Sequence, residues 1–263
     1  MALADKSDFA SASVSLVSHG MQEAKVEGNS RFPFSVCPAL KAVLFDMDGV
    51  LFNSMPAHAH AWHSAMADFG LELSVEEAYL HEGRTGRGTI DIVARRQGME
   101  VDDEMIKSIY ARKTAYLNQF PPAVPMPGAL ELLHKIQSQH LLIILVTGSG
   151  TRSLLERLER FFPDIFQPEL MVTGFDVKKG KPDPEPYLMG LKKGSLSVGR
   201  ELRPDECVVV ENAPLGVQAA VGAGIPTIGV NTGPLSPSVL EGAGARWIFP
   251  SVLSLLAGWS DDV

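Results

Sequence analysis

Phe45-Asp46-Met47-Asp48-Gly49-Val50 closes the apolar run Ala42-Val43-Leu44-Phe45, and the reading of the whole chain turns on it. Side chains alternate along a strand, so two acids two residues apart share a face. Where the strand ends, both carboxylates turn into one place at the edge of the sheet. Two anions held that close call for a cation or a shared proton. Asp46 and Asp48 are therefore candidates for metal binding, nucleophilic attack and proton transfer. The same letters also spell an acidic surface turn, because Asp-Gly is a common turn signal. The pair alone does not separate the two readings, and the surrounding chain must.

Short runs rich in Val, Ile and Leu recur at 41–46, 141–147, 169–173, 206–211 and 225–230, with a weaker one at 246–249. Apolar residues on successive positions predict strands buried on both faces, as in a parallel sheet. Helical periodicity falls between them, at 127–139, 151–162, 184–193, 213–223 and 235–242. That alternation predicts a Rossmann-like, doubly wound α/β core. Residues 55–122 break it, with helical stretches at 57–69, 74–81, 87–97 and 102–119 and no strand. Pro56 lies near one edge of this segment and Pro121, Pro122, Pro125 and Pro127 near the other, which suits hinged ends. The expectation is an all-helical cap at 55–122 inserted into a core built from 39–54 and 123–263. A cap placed there covers the sheet edge at which such folds bind ligands. Residues 1–38, rich in Ser and Ala without clear periodicity, are expected to form a disordered extension.

Composition narrows the class of function. The chain has 263 residues, is 45% hydrophobic and carries a net charge of −8. That is enough for a sizeable core. An acidic chain gains nothing from long-range attraction to nucleic acid or anionic membrane, and neither is expected as a partner. No protein partner is predicted. The two cysteines, Cys37 and Cys207, suggest no disulfide framework, and a reducing, cytoplasmic location is the expectation. No apolar run reaches transmembrane length.

Three more loops fall at predicted strand ends. Thr147-Gly148-Ser149-Gly150 precedes a helix, and small residues at a helix start expose N–H groups to an anion. An ordinary strand-to-helix turn reads the same way. Lys178-Lys179-Gly180-Lys181-Pro182-Asp183-Pro184 offers an ammonium on a proline-stiffened loop. Glu211-Asn212 ends the strand 206–211 with hard oxygen donors of the kind Mg²⁺ takes. Acids, a hydroxyl-bearing turn, a lysine and an acid–amide pair, in order and at strand ends, amount to a phosphoryl-transfer site.

These four stretches, with Lys181-Pro182-Asp183 and Glu211-Asn212-Ala213-Pro214-Leu215-Gly216-Val217 quoted in full, resemble the motifs of the haloacid dehalogenase superfamily of aspartate-nucleophile phosphotransferases. The resemblance covers about residue 40 to the end, and the helical insert is similar to the cap of the β-phosphoglucomutase-like branch. It implies Asp46 as nucleophile, Asp48 as general acid and base, and Thr147, Gly148 and Ser149 around the phosphoryl oxygens. It implies Lys181 neutralising the site, and Mg²⁺ on Asp46, Asp48 and the Glu211-Asn212 pair. The family often carries two acids in the last motif, and Asn212 removes one negative charge.

The resemblance leaves substrate choice to the cap. Its loop His81-Glu82-Gly83-Arg84-Thr85-Gly86-Arg87-Gly88-Thr89 carries Glu82 where the mutase branch is expected to have a lysine. An acid suits a second phosphate poorly unless a metal accompanies it, whereas Arg84 and Arg87 can grip an anion. Together with Leu51-Phe52-Asn53-Ser54 and Val230-Asn231-Thr232-Gly233-Pro234, the loop resembles a bacterial inorganic-pyrophosphatase offshoot of that branch. Pyrophosphate is therefore the expected substrate, with β-phosphoglucomutase or broad sugar-phosphate phosphatase activity as alternatives and a non-catalytic binding protein behind them. The same resemblance gives His58 a role in coupling cap closure to Asp48. His58, His60 and His63 on one helix lack partners of zinc-ligand type and spacing.

Overall fold

The computed structural model describes residues 39–148 and 153–260. The 1–38 segment and the Ser149, Gly150 and Thr151 positions lie outside them.

Six parallel strands form one sheet: β1 (Ala42–Phe45), β2 (Leu142–Val146), β3 (Met171–Val172), β4 (Cys207–Glu211), β5 (Thr227–Val230) and β6 (Trp247–Phe249). Their order is β3-β2-β1-β4-β5-β6. β1 lies at the centre, with Phe45 opposite Leu145 on one side and Val210 on the other. The six strand expectations all correspond to observed strands, and the fold is the α/β arrangement that the alternation predicted.

Alternation along β1 explains the two layers of helices. Val43 and Phe45 face one apolar cluster, with α5 (Ala129–Ser138), α6 (Ser153–Phe161) and α10 (Val252–Gly258). Ala42 and Leu44 face the other, with α7 (Glu185–Val198) and α8 (Pro214–Gly222). All four β1 side chains are fully buried. Burial of one large aliphatic or aromatic side chain contributes about 1.5–3 kcal/mol, so the strand carrying Asp46 at its end is among the most firmly held in the molecule. α9 (Pro237–Ala243) lies against α8 through Leu240 and Val217.

Two helices differ from the sequence expectation. α7 runs past 193 to Val198 and stops at Gly199, which has φ 69°. Gly194 lies just past the expected end at 193, yet a Cβ on Gly190 or Gly194 would come within 2.8 Å of Leu44 and 2.9 Å of Ile144 respectively. They let α7 press closely onto the sheet, which offsets their low helix propensity. α10 buries Val252 and Leu255 but exposes Leu253 and Ala257, so no polar face reveals its period; the Ser251 hydroxyl starts it by accepting the Ser254 N–H.

Between β1 and β2 lie α1 (Met55–Ala67), α2 (Val75–Leu80), α3 (Gly86–Arg96) and α4 (Asp103–Leu117). They share an apolar cluster of their own, including Met66, Leu71, Ile90, Val93 and Ile109. Ser74, Thr85 and Asp102 start α2, α3 and α4 by accepting N–H groups three residues on, the usual way a helix start is satisfied. The chain leaves and re-enters the core side by side. Asn53 N–H donates to the Val124 carbonyl at 2.9 Å, and Met126 N–H donates to that of Leu51 at 2.8 Å. No described helix is long and apolar enough to cross a membrane.

Candidate active site

Asp46 follows β1 directly, and its carboxylate accepts a hydrogen bond from the Lys181 ammonium. The same ammonium donates to Glu211 Oε1 at 2.7 Å and to the Val146 carbonyl at 3.3 Å. Tyr187 on α7 donates its hydroxyl to Glu211 Oε1 at 3.0 Å. Glu211 Oε2 accepts the N–H groups of Asn212 and Ala213, both at 2.9 Å. Both Glu211 oxygens thus carry two donors each, and the residue is completely buried. This corrects the expectation of Glu211 as a metal ligand: its lone pairs are spent on Lys181, Tyr187 and its own loop, so it is a positioning group for the ammonium.

Burial pushes the Asp46 carboxyl up to about 8, with the Glu211 and Asp48 charges adding to the rise and Lys181 opposing it. Burial alone would lower Lys181, but the attraction of Asp46 and Glu211 holds its ammonium well above the ordinary lysine range. The site is thus an ion cluster with more carboxylate than Lys181 can neutralise.

Asp48 Oδ1 accepts the Ser54 hydroxyl at 2.5 Å. Ser54 is the residue before α1, yet its side chain makes no helix cap. It binds Asp48 instead, which ties the start of the cap to the acid–base candidate. The sequence reading quoted Ser54 but gave it no such part.

His58 lies on α1 with Nδ1 at 3.2 Å from the Lys113 ammonium. Burial pushes the His58 imidazole down to about 4, although the nearby Asp48 charge acts the other way. Lys113 is 6% exposed, with its ammonium 5.4 Å from the Trp62 ring centroid. Burial lowers it to about 8. The sequence reading missed Lys113. Its signal was a lysine on the buried face of α4, at helical spacing from Ile106 and Ile109. His60 and His63 do not join it: His60 stacks on Phe120, and His63 bonds the Leu73 carbonyl.

The cap loop reaches the core at Glu82, whose two oxygens accept from the Asn212 amide at 3.1 and 3.0 Å. Burial, then the charges of Asp46 and Glu211, push the Glu82 carboxyl well above its usual range. Gly83, at φ 83°, lies over the Lys181 stem, where a Cβ would come within 3.1 Å of Cδ. Arg84 has its Nε buried with no hydrogen-bond partner. Arg87 is not brought to this group: its guanidinium pairs with Asp103, both exposed, so the expected anion grip at 87 is replaced by a solvated ion pair. Thr147 is buried at the end of β2 and its N–H donates to the Val172 carbonyl at 2.9 Å. Gly148 follows, exposed, with Gly174 packed against its carbonyl. Ser149 lies outside the described residues.

Among the described residues no three His, Cys, Asp or Glu side chains form a ready metal cluster. The donors here are of another kind. Asn212 Oδ1 is buried with no hydrogen-bond partner, and it lies in a site with surplus carboxylate. A lone buried amide oxygen beside crowded anions fits a hard cation that takes oxygen ligands.

The chain matches the family model described as "Haloacid dehalogenase-like hydrolase" over residues 43–230. It is 32% identical to the validoxylamine A 7'-phosphate phosphatase of Streptomyces hygroscopicus subsp. limoneus over 73% of this chain and 86% of that one. It is 30% identical to hexitol phosphatase A of Escherichia coli over 76% and 88%. Among solved structures it resembles the "Putative beta-phosphoglucomutase from Bacteroides vulgatus" with 59% identity, a TM-score of 0.77, and coverage of 83% of this chain and 86% of that chain.

Proposed function

The chain belongs to the haloacid dehalogenase-like hydrolase family, and we propose that it is a Mg²⁺-dependent phosphohydrolase acting through an aspartyl-phosphate, with inorganic pyrophosphate as its preferred substrate. The observation that carries the substrate is Glu82. A cap carboxyl is buried against Asn212, where Asp46 and Glu211 act on it. An acid there matches a leaving group that is itself a metal-accompanied phosphate and disfavours a bare second phosphate.

Asp46 attacks phosphorus as the bond to the leaving oxygen breaks, and Asp48 donates the proton that oxygen needs. Asp48 then takes a proton from water as the water attacks the aspartyl-phosphate, which releases phosphate and restores Asp46. Lys181, held by Glu211, which Tyr187 fixes in turn, keeps positive charge beside Asp46 through both steps. Ser54 keeps the Asp48 carboxyl oriented. Thr147 and Gly148 offer hydroxyl and N–H donors for the phosphoryl oxygens. Asp46, the Asp48 carbonyl and Asn212 Oδ1 would hold Mg²⁺, which supplies charge neutralisation for the transferring group. Asn212 in place of a second acid makes that metal depend more on substrate for its remaining ligands.

A second reading is a sugar-phosphate phosphatase or mutase. It is favoured by the phosphorylated-carbohydrate relatives and by the mutase-type structural neighbour. The deciding experiment is phosphate release with Mg²⁺ from pyrophosphate and from a sugar-phosphate panel. Pyrophosphate turnover well above every ester is expected. Isomerisation of β-glucose 1-phosphate with pyrophosphate untouched would overturn the first reading.

A further inference from the structure

Glu82 is not the only cap residue that meets the core. Tyr79, one helical turn earlier on α2, lays its ring against the α-carbon of Gly233 in the loop after β5: a Cβ at 233 would be 2.9 Å from Tyr79 Cδ1 and 3.0 Å from Cε1. Tyr79 is 8% exposed, and Leu235 of the same loop packs against the cap's apolar cluster. The loop is tied within itself by Asn231, whose side-chain amide donates to the Leu235 carbonyl at 3.0 Å. It is tied to the catalytic loop by Thr232, whose hydroxyl donates to the Gly49 carbonyl at 2.7 Å.

Gly49 closes a ring of contacts. It sits at φ 80° with its α-carbon against the Asn212 amide, where a Cβ would lie 2.0 Å from Nδ2. That amide donates to Glu82, and the Glu82 N–H donates to the Tyr79 carbonyl at 3.4 Å. From Tyr79 the path runs through Gly233 and Thr232 to Gly49, then through Asn212 and Glu82 back to Tyr79. Two cap contacts about one turn apart thus bear, through Thr232 and Asn212, on Gly49, the residue directly after Asp48. A carboxyl held at one point could swing; held with a flat aromatic contact alongside, it is fixed in register.

We propose that residues 231–235 are a second docking point for the cap, and that Tyr79, Thr232 and Gly233 are positioning residues that register Glu82 over Asn212. The inference deepens the reading of Glu82 as the substrate-selecting group and rests on it. Gly233 has no positive φ, so alanine there adds a methyl group without backbone strain, and the methyl meets the ring.

The test is a double-variant cycle measured on whichever phosphate compound the enzyme hydrolyses fastest. Gly233→Ala should lower kcat/KM about 10–100-fold, the scale expected when a working group is displaced by around an ångström. It should also speed amide hydrogen exchange across 79–86 in the ligand-free protein. Tyr79→Leu opens the space the ring filled, so the double variant should be more active than Gly233→Ala alone. Strictly additive losses overturn the proposal. Thr232→Val keeps the test available if the alanine variant does not fold: kcat should fall several-fold with KM little changed, and an unchanged kcat overturns the link to Gly49. Failure of the pyrophosphate reading would show separately, as equal losses on pyrophosphate and esters in Glu82→Ala, and it leaves the Tyr79–Gly233 coupling measurable.

Discussion

On the core side of the cleft, Lys181, Glu211 and Tyr187 make a closed set of hydrogen bonds in which each Glu211 oxygen has two donors. On the cap side, Arg84 Nε and His81 Nδ1 are buried with no hydrogen-bond partner, and burial with nearby negative charge pushes the Glu82 carboxyl up. The two walls have similar residue types and, the Asn212 amide oxygen on the core side apart, differ in how completely their charged groups are satisfied. A saturated network resists rearrangement and keeps one geometry, which suits steps that are the same for every phosphate compound. Groups left without partners can still take a ligand's oxygens, and under the proposed function they are where substrates would be told apart.

Variants can press on that contrast. Asp46→Asn removes the proposed nucleophile, and turnover of every substrate should fall on the order of 10⁴-fold or more; phosphate-release assays across the panel check it. Glu82→Ala should separate the walls, with pyrophosphate hydrolysis falling about 100-fold and p-nitrophenyl phosphate hydrolysis only a few-fold. Parallel kcat/KM measurements decide it, and equal losses would make Glu82 structural. Glu211→Gln disturbs the saturated side and should lower kcat for all substrates alike by about 10–100-fold, as losing a supporting partner does elsewhere; a substrate-dependent loss would blur the contrast.

The smallest effect lies away from the cleft. Arg200 donates to both Glu206 oxygens at 2.9 Å and, with the Arg203 N–H, holds that carboxyl down to about 2. An acid lowered on folding contributes its stability above its unfolded pKa and loses it as pH falls through the folded value. Arg200→Gln should therefore lower the melting temperature by about a degree or two at pH 7. The gap should close as pH falls from about 4.5 towards 2; thermal melts in steps of pH measure it.

The parallel core was legible because buried strands announce themselves as Val- and Ile-rich runs, and the acids at their ends follow from position. α10 was not, because its exposed positions, Leu253 and Ala257, are apolar too, and the helix shows no periodic contrast. α7 ran longer than its pattern because glycine serves close packing as readily as turning. In the site, Asp46, Asp48 and Lys181 could be named from motif and strand end. The burden on Glu211 could not, since whether a carboxylate faces a metal or a lysine depends on which side of the loop it leaves. Lys113 hid among apolar neighbours on α4, and Arg87 looked like an anion grip because Asp103 is distant in sequence.

Gly216 has a consequence for large mutational surveys of this chain. Any side chain there would begin 1.6 Å from Glu211 Oε1. Substitutions at 216, and at Gly49 by the same crowding against Asn212, would displace those two side chains and score as losses of activity. A tolerance map alone would enrol both glycines among the reactive groups, although neither has an atom that can take part in the chemistry.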